Sequence, residues 1–333
     1  MKASSTTGDS VIPNRHVPHA VPTAIPGIHH VTAIGSDPSE NLAFYTETLG
    51  LRLVKRSVNQ DDTSVYHLFY GDYEGSPGTS MTFFPYPNAR QGQAGTEQAS
   101  TVQFQVPADS IEYWLDRLAD AGVDLDEPKN RFGETVLPFQ DPDGLPLELV
   151  ARFEAPDGNL PKGPVPESHA IRGFLGVTLS LDSADTTAPL LREMGFQETD
   201  SEGGRKRYES GGDLGYVVDL REDSQMPRGQ PGAGTVHHVA FRVTAADQAA
   251  WREILLDQGL RPTEIIDRKW FESVYVRTRG GVLFEFATAS PGYTVDEPLE
   301  ELGERLVLPE RLEDQRAEIE ASLPDLSTQP PPS

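Results

Sequence analysis

The chain contains no cysteine. That excludes disulfides, cysteine-ligated zinc, iron–sulfur clusters and thiol catalysis, so any bound metal must be held by histidine and carboxylate. Lysine is also scarce: six of the 28 basic residues are Lys and 22 are Arg. No run of 18 or more apolar residues occurs, so a transmembrane helix is not expected. Residues 1–26 lack a charged segment followed by an apolar stretch, so no secretory signal is expected and a cytoplasmic location is. Positive charge is short overall. Asp and Glu number 52, giving a formal net charge of -24 over 333 residues. Such a surface repels nucleic acid and anionic membranes, and neither is an expected partner. The acidity is not confined to the tail: residues 292–333 carry a net -8, which leaves about two thirds of the excess elsewhere. This Lys-poor acidity resembles that of proteins from salt-loving cytoplasms, where abundant cations screen self-repulsion.

What is present is a fourfold repetition of strand, helix and two or three strands. Module one opens at Gly27-Ile28-His29-His30-Val31-Thr32, and Asp37-Pro38-Ser39-Glu40 signals a helix start that ends at Gly50. Module two opens at Thr101 and closes through the turn Asp141-Pro142-Asp143-Gly144 into Leu145–Val150. Module three opens at Gly173, and module four at Thr235-Val236-His237-His238-Val239. The fold class expected is α+β: four βαβββ modules paired into two barrel-like domains. Along the chain this predicts a disordered extension over 1–26 and modules one and two over 27–153. A linker then spans 154–170, modules three and four occupy 171–291, and an acidic helical segment with a disordered tail covers 292–333.

The chemistry sits in a repeated triplet. Four of the eight histidines form His29-His30-Val31 and His237-His238-Val239, each opening a module. A lone strand histidine is usually structural, but two at equivalent places in a closed sheet converge. A third group is available in Gly281-Val282-Leu283-Phe284-Glu285-Phe286, where Glu285 is the one acid of an apolar strand. A buried carboxylate needs a cation or donors: either an arginine such as Arg268, or a metal. Two His and one carboxylate make the facial triad of non-haem Fe(II) oxygenases. Strand alternation puts the second histidine of each pair, with Thr32, on the inner face. The expected ligands are His30, His238 and Glu285.

These stretches, with Lys55-Arg56-Ser57-Val58-Asn59, Tyr66-His67-Leu68-Phe69-Tyr70, Asp267-Arg268 and Ser273-Val274-Tyr275, resemble the vicinal oxygen chelate superfamily. Within it they resemble the ring-cleaving dioxygenases related to hydroquinone and chlorohydroquinone 1,2-dioxygenases. The likeness spans about residues 25–322. It implies an Fe(II)-dependent, extradiol-type dioxygenase acting on a small aromatic substrate and O₂; Mn(II) is accepted by the same triad, and a homo-oligomer is compatible with the fold. It also implies that modules one and four share the metal-bearing barrel, and that His29, Thr32, His237, Arg268 and Tyr275 surround the site. Gly176 stands where ordinary extradiol catechol dioxygenases have a ligand. Tyr275 would serve as acid or base and Arg268 would stabilise negative charge or form a structural ion pair. His29 and His237 would orient ligands or simply pack, since alternation points them away from the metal. His67 is expected to pack on the barrel and Glu148 to be structural. Two alternatives are a glyoxalase-like lyase or isomerase, disfavoured because Met81-Thr82-Phe83-Phe84-Pro85 offers no second carboxylate, and a non-catalytic small-molecule binder.

Overall fold

A computed structural model describes residues 22–326. Module one supplies β1 (Ile28–Gly35), β2 (Arg52–Asn59), β3 (Asp62–Gly71) and β4 (Ser80–Pro85). Module two supplies β5 (Gln98–Pro107), β6 (Lys129–Arg131), β7 (Glu134–Gln140) and β8 (Pro146–Arg152). Module three supplies β9 (Phe174–Leu181), β10 (Gln197–Glu202), β11 (Arg205–Glu209) and β12 (Val217–Glu222). Module four supplies β13 (Thr235–Val243), β14 (Ile266–Asp267), β15 (Glu272–Arg277) and β16 (Leu283–Thr288). The first helix starts where its capping signal lies: the Asp37 carboxylate accepts from Ser39 N (2.8 Å) and Glu40 N (3.0 Å). It runs as α1 (Pro38–Ala43), widens into a π turn over Phe44–Thr48, and ends before Gly50 at φ 73°.

The sixteen strands form two eight-stranded sheets, ordered β14-β15-β16-β13-β1-β4-β3-β2 and β10-β11-β12-β9-β5-β8-β7-β6. The first joins modules one and four, and the second joins two and three. The boundaries 27–153 and 171–291 therefore delimit module pairs along the chain, whereas each sheet takes one module from each pair. In both sheets the opening strands of the two modules run antiparallel side by side, β1 with β13 and β5 with β9. That contact creates a pseudo-twofold axis, so residues at matching places in two modules meet there.

Two segments depart from the sequence reading. Residues 22–26 belong to the expected extension, yet Ile25 is buried and its N–H bonds Met194 O at 2.9 Å. The rest of the extension, with His16 and His19, lies outside the described residues, as does 327–333. The C-terminal segment, expected to be helical, is so only in short pieces. Pro298, Gly303 and Pro309 interrupt the leucine pattern, leaving short 3-10 turns and one helix, Arg316–Ser322. Its apolar side still docks: Leu306, Leu308, Leu312 and Ile319 are buried, and Val307 N bonds Arg56 O on β2. Among the described residues no helix is long and apolar enough to cross a membrane.

Candidate metal centre

The pseudo-twofold axis of the first sheet brings His30 on β1 and His238 on β13 together, with Glu285 on β16 paired beside Ala240. His30 Nε2 and His238 Nε2 are 3.3 Å apart, and Glu285 Oε2 lies 3.2 Å from the first and 2.9 Å from the second. All three residues are at least 96% buried. Glu285 Oε1 accepts from Ser273 Oγ, while Oε2 lacks a well-aligned donor and faces the two ring nitrogens. Burial alone would raise the Glu285 pKa, but His30 and His238 outweigh it and hold the carboxyl well below its ordinary range. Three ligand atoms about 3 Å apart around a charge-deficient centre fit a single divalent cation bound by two imidazoles and one carboxylate. Arg268, the other candidate partner for Glu285, goes instead to Asp61 (3.3 Å) and the Tyr275 hydroxyl (3.3 Å).

Simple alternation does not describe His29 and His237. The β1–β13 register slips between Ile28 and His30 and again opposite Thr32 and Ala33, so each of these histidines is the extra residue of a β-bulge. The bulges turn them against the ligand rings: Nδ1 of His29 is 3.0 Å from Nδ1 of His30, and the His237–His238 pair is 2.8 Å. Each pair can share one proton. If Nε2 of the ligand histidine is to keep a free lone pair, its Nδ1 must donate and the bulge histidine must accept. Burial and the adjacent His30 push His29 down to about 3. Partial enclosure and the adjacent His238 push His237 down as well, although its ring is exposed to the cavity. Both are therefore neutral acceptors at ordinary pH.

A cavity of about 520 Å³ opens over the triad, walled by Phe69, Phe84, Trp270 and Phe271 with Arg268 and Tyr275 at its polar side. Tyr275 sits directly opposite Glu285 in the β15–β16 register. Burial and the Glu285 charge raise its phenol above the ordinary range, so it keeps its proton. Thr32 Oγ1 lies 2.8 Å from His238 Nε2, at the edge of the triad. His67 is no ligand, but it lines the cavity rather than merely packing the barrel. Its Nε2 is 3.0 Å from Thr82 Oγ1, and that hydroxyl is 2.8 Å from Thr32. Thr82 is the pseudo-symmetric mate of Glu285, since Thr32 pairs Thr82 as Ala240 pairs Glu285. The missing acid at this place is visible in the sequence, but nothing in the sequence signals the hydroxyl chain.

The second sheet carries a matching centre without ligands. Gly176 replaces the histidine because Val217 O closes that space to any side chain. Glu148 is bound bidentately by Arg131 (2.7 and 2.9 Å), and Asp219 by Arg207 (2.9 and 3.0 Å). Guanidinium groups stand there where a cation would.

Comparison with known proteins identifies the family. Residues 27–149 match the model of the Glyoxalase/Bleomycin resistance protein/Dioxygenase superfamily. MhqE of Bacillus subtilis (strain 168), named as a ring-cleaving dioxygenase, is 44% identical over 301 residues, covering 90% of this chain and 99% of the relative. The chain belongs to this family of ring-cleaving dioxygenases. The chlorohydroquinone/hydroquinone 1,2-dioxygenase of Sphingobium indicum is 34% identical, covering 92% of this chain and 98% of that relative. A Bacillus subtilis crystal structure, also named as a dioxygenase, superposes with a TM-score of 0.89 at 43% identity over 92% of this chain and 99% of its own. Glyoxalase I of Zea mays shares the fold alone, with a TM-score of 0.59 at 14% identity over 79% of this chain and 92% of its own.

Proposed function

We propose that this dioxygenase is Fe(II)-dependent and of the extradiol type, and that it inserts O₂ into the ring of a hydroquinone or related dihydroxylated aromatic. The observation that carries the reading is the His30–His238–Glu285 triad at the floor of an aromatic-walled cavity. A cavity of about 150 Å³ suffices for benzene, so about 520 Å³ leaves room for a substituted ring and O₂. The relative named for chlorohydroquinone and hydroquinone supports the substrate class. Manganese(II) suits the same donor set.

His30, His238 and Glu285 would hold the metal, with His29 and His237 accepting from the ligand rings and fixing their tautomers. A bound iron(II) supplies Lewis acidity and the redox flexibility that O₂ chemistry needs. The chain supplies the rest. Phe69, Phe84, Trp270 and Phe271 exclude water and stack on the ring. Tyr275, protonated, donates to an oxygen of the substrate, and Arg268 beside it stabilises negative charge as it develops. Thr32 packs its hydroxyl against the His238 ring from beneath the cavity. The lyase alternative gains nothing: Thr82 occupies the place of a second carboxylate.

Anaerobic Fe(II) loading followed by oxygen uptake on hydroquinones, catechols and methylglyoxal–thiol adducts tests the reading. Uptake with a hydroquinone is expected. Turnover of the thiol adduct without oxygen would replace the dioxygenase reading with the lyase. Ala at His30, His238 or Glu285 should abolish stoichiometric iron, whereas Ala at His67 or Glu148 should leave it. Full iron and activity in Glu285→Ala would refute the ligand set.

A further inference from the structure

Part of the cavity wall comes from a loop rather than from the barrel strands. Of the four residues between β14 and β15, three line the cavity: Arg268, Trp270 and Phe271. The fourth, Lys269, has φ 78°, a conformation that a residue with a side chain holds only where its surroundings impose it. The C-terminal segment is a large part of those surroundings. Lys269 Nζ donates to Leu308 O (3.1 Å) and lies 3.2 Å from Asp296 Oδ2, and Gly292 N donates to Trp270 O (2.9 Å). The same Asp296 Oδ2 accepts from the indole Nε1 of Trp270 (3.0 Å), while its Oδ1 accepts from Lys55 Nζ on β2 (2.7 Å). Lys55 has no exposed surface and donates also to Glu297 and to Tyr293 O (2.9 Å). Burial would raise the Asp296 pKa, but Lys55, Trp270 and Lys269 outweigh it and keep the carboxylate charged.

We infer that Asp296 is a positioning residue of the dioxygenase, which acts through Trp270: it fixes the indole as a wall for the substrate ring, so that the C-terminal segment completes the cavity. The inference rests on the proposed function, since it takes the cavity to hold an aromatic ring. The indole is fixed on three sides. Asp296 holds its N–H, the Lys55 ammonium lies 5.5 Å from its ring centre, and Phe69 meets it edge-on at 5.5 Å. Trp270 is 1% exposed, so its only free face is the one turned to the cavities it lines. A wall residue already in its bound orientation loses no further freedom when the ring arrives, which favours binding without touching the reacting atoms. Asp296 does not line the cavity. Its carboxylate reaches the substrate through the indole, and Lys55 in turn fixes the carboxylate.

The test is a double-mutant cycle of Asp296→Ala and Trp270→Phe in the iron-loaded protein. Asp296→Ala leaves Lys55 its bonds to Glu297 and Tyr293 O, so the fold should survive. Should it not, Asp296→Asn takes its place in the cycle. Two readouts are taken, KM for hydroquinone by oxygen uptake and acrylamide quenching of tryptophan fluorescence without substrate. Asp296→Ala should raise KM about tenfold, with iron content intact and the turnover number little changed. Quenching should rise in Asp296→Ala, and that rise should vanish in the double variant, because the other two tryptophans, Trp114 and Trp251, are buried elsewhere. In the Trp270→Phe background, which has no indole N–H, Asp296→Ala should raise KM far less. A wild-type KM in Asp296→Ala, or an equal rise with and without the indole, would overturn the inference; a lowered melting temperature alone would make Asp296 merely structural. If the wild type takes up no oxygen with hydroquinone, the proposed function fails, and the quenching still judges whether Asp296 fixes Trp270.

Discussion

At the scale of residues, Tyr275 makes the sharpest demand. Its phenol is half-buried at the cavity wall beside Glu285 and its pKa is raised, so it can act as a proton donor but not as a standing phenolate. Tyr275→Phe removes one hydroxyl and should leave iron stoichiometry unchanged. If the hydroxyl transfers a proton, turnover should fall by about 10²–10⁴-fold; if it only orients the ring, the loss should appear in KM. Wild-type steady-state kinetics on a confirmed substrate would reduce Tyr275 to a wall residue. The three triad residues were legible because a duplicated His-His-Val and one acid in an apolar strand are rare patterns with a shared chemical reading. For His29 and His237 the sequence left ligand orientation and plain packing side by side, because a β-bulge is a register event between strands and leaves no mark in either strand's composition. The place of His67 was not legible, since its hydroxyl bridge to the centre exists only once β1, β3 and β4 are neighbours.

At the scale of elements, the repeated modules and their helices could be read from turn chemistry and apolar spacing. The Asp37 cap and the Gly50 stop show why: both act within a few residues. The docking of 22–26 and the broken C-terminal segment were harder to foresee. The first depends on a distant carbonyl, Met194 O, and the second on prolines competing with a leucine pattern. The two sheets also show how one module design yields two outcomes. Where β9 has Gly176, the equivalent of a ligand is sterically excluded, and the carboxylates Glu148 and Asp219 are neutralised by Arg131 and Arg207. That sheet is therefore expected to contribute stability rather than chemistry. Asp219→Ala removes one of two carboxylates from Arg207, whose side chain is 4% exposed, and leaves it Glu134 at 2.7 Å. Breaking a buried pair outright costs about 3–5 kcal/mol, so with Glu134 remaining chemical denaturation should show a smaller loss, with iron content and KM unchanged. A variant that lost iron while keeping its stability would mean that the second sheet governs the metal centre.

At the scale of the whole molecule, a net charge of -24 dominates the electrostatics outside the barrels. Like charges spread over one surface repel, and folding concentrates them. The buried pairs, Lys55 with Asp296 and Glu297 or Arg207 with Asp219, are shielded from solvent ions and should respond little to salt. The surface excess should respond strongly, because the Debye length falls from about 10 Å at 0.1 M to about 3 Å at 1 M. The melting temperature is therefore expected to rise with KCl, with most of the gain below about 1 M, where the screening length changes most. Exclusion of a salt from the protein surface would also stabilise the fold, but it keeps growing with concentration and is stronger for sulfate than for chloride. Thermal melts in KCl and in potassium sulfate at matched ionic strength separate the two effects. Coincident curves that flatten near 1 M would establish charge screening. A melting temperature unchanged from 0.1 to 2 M KCl would show that the acidic surface imposes no measurable repulsion, and the salt-adapted reading of the composition would fall with it.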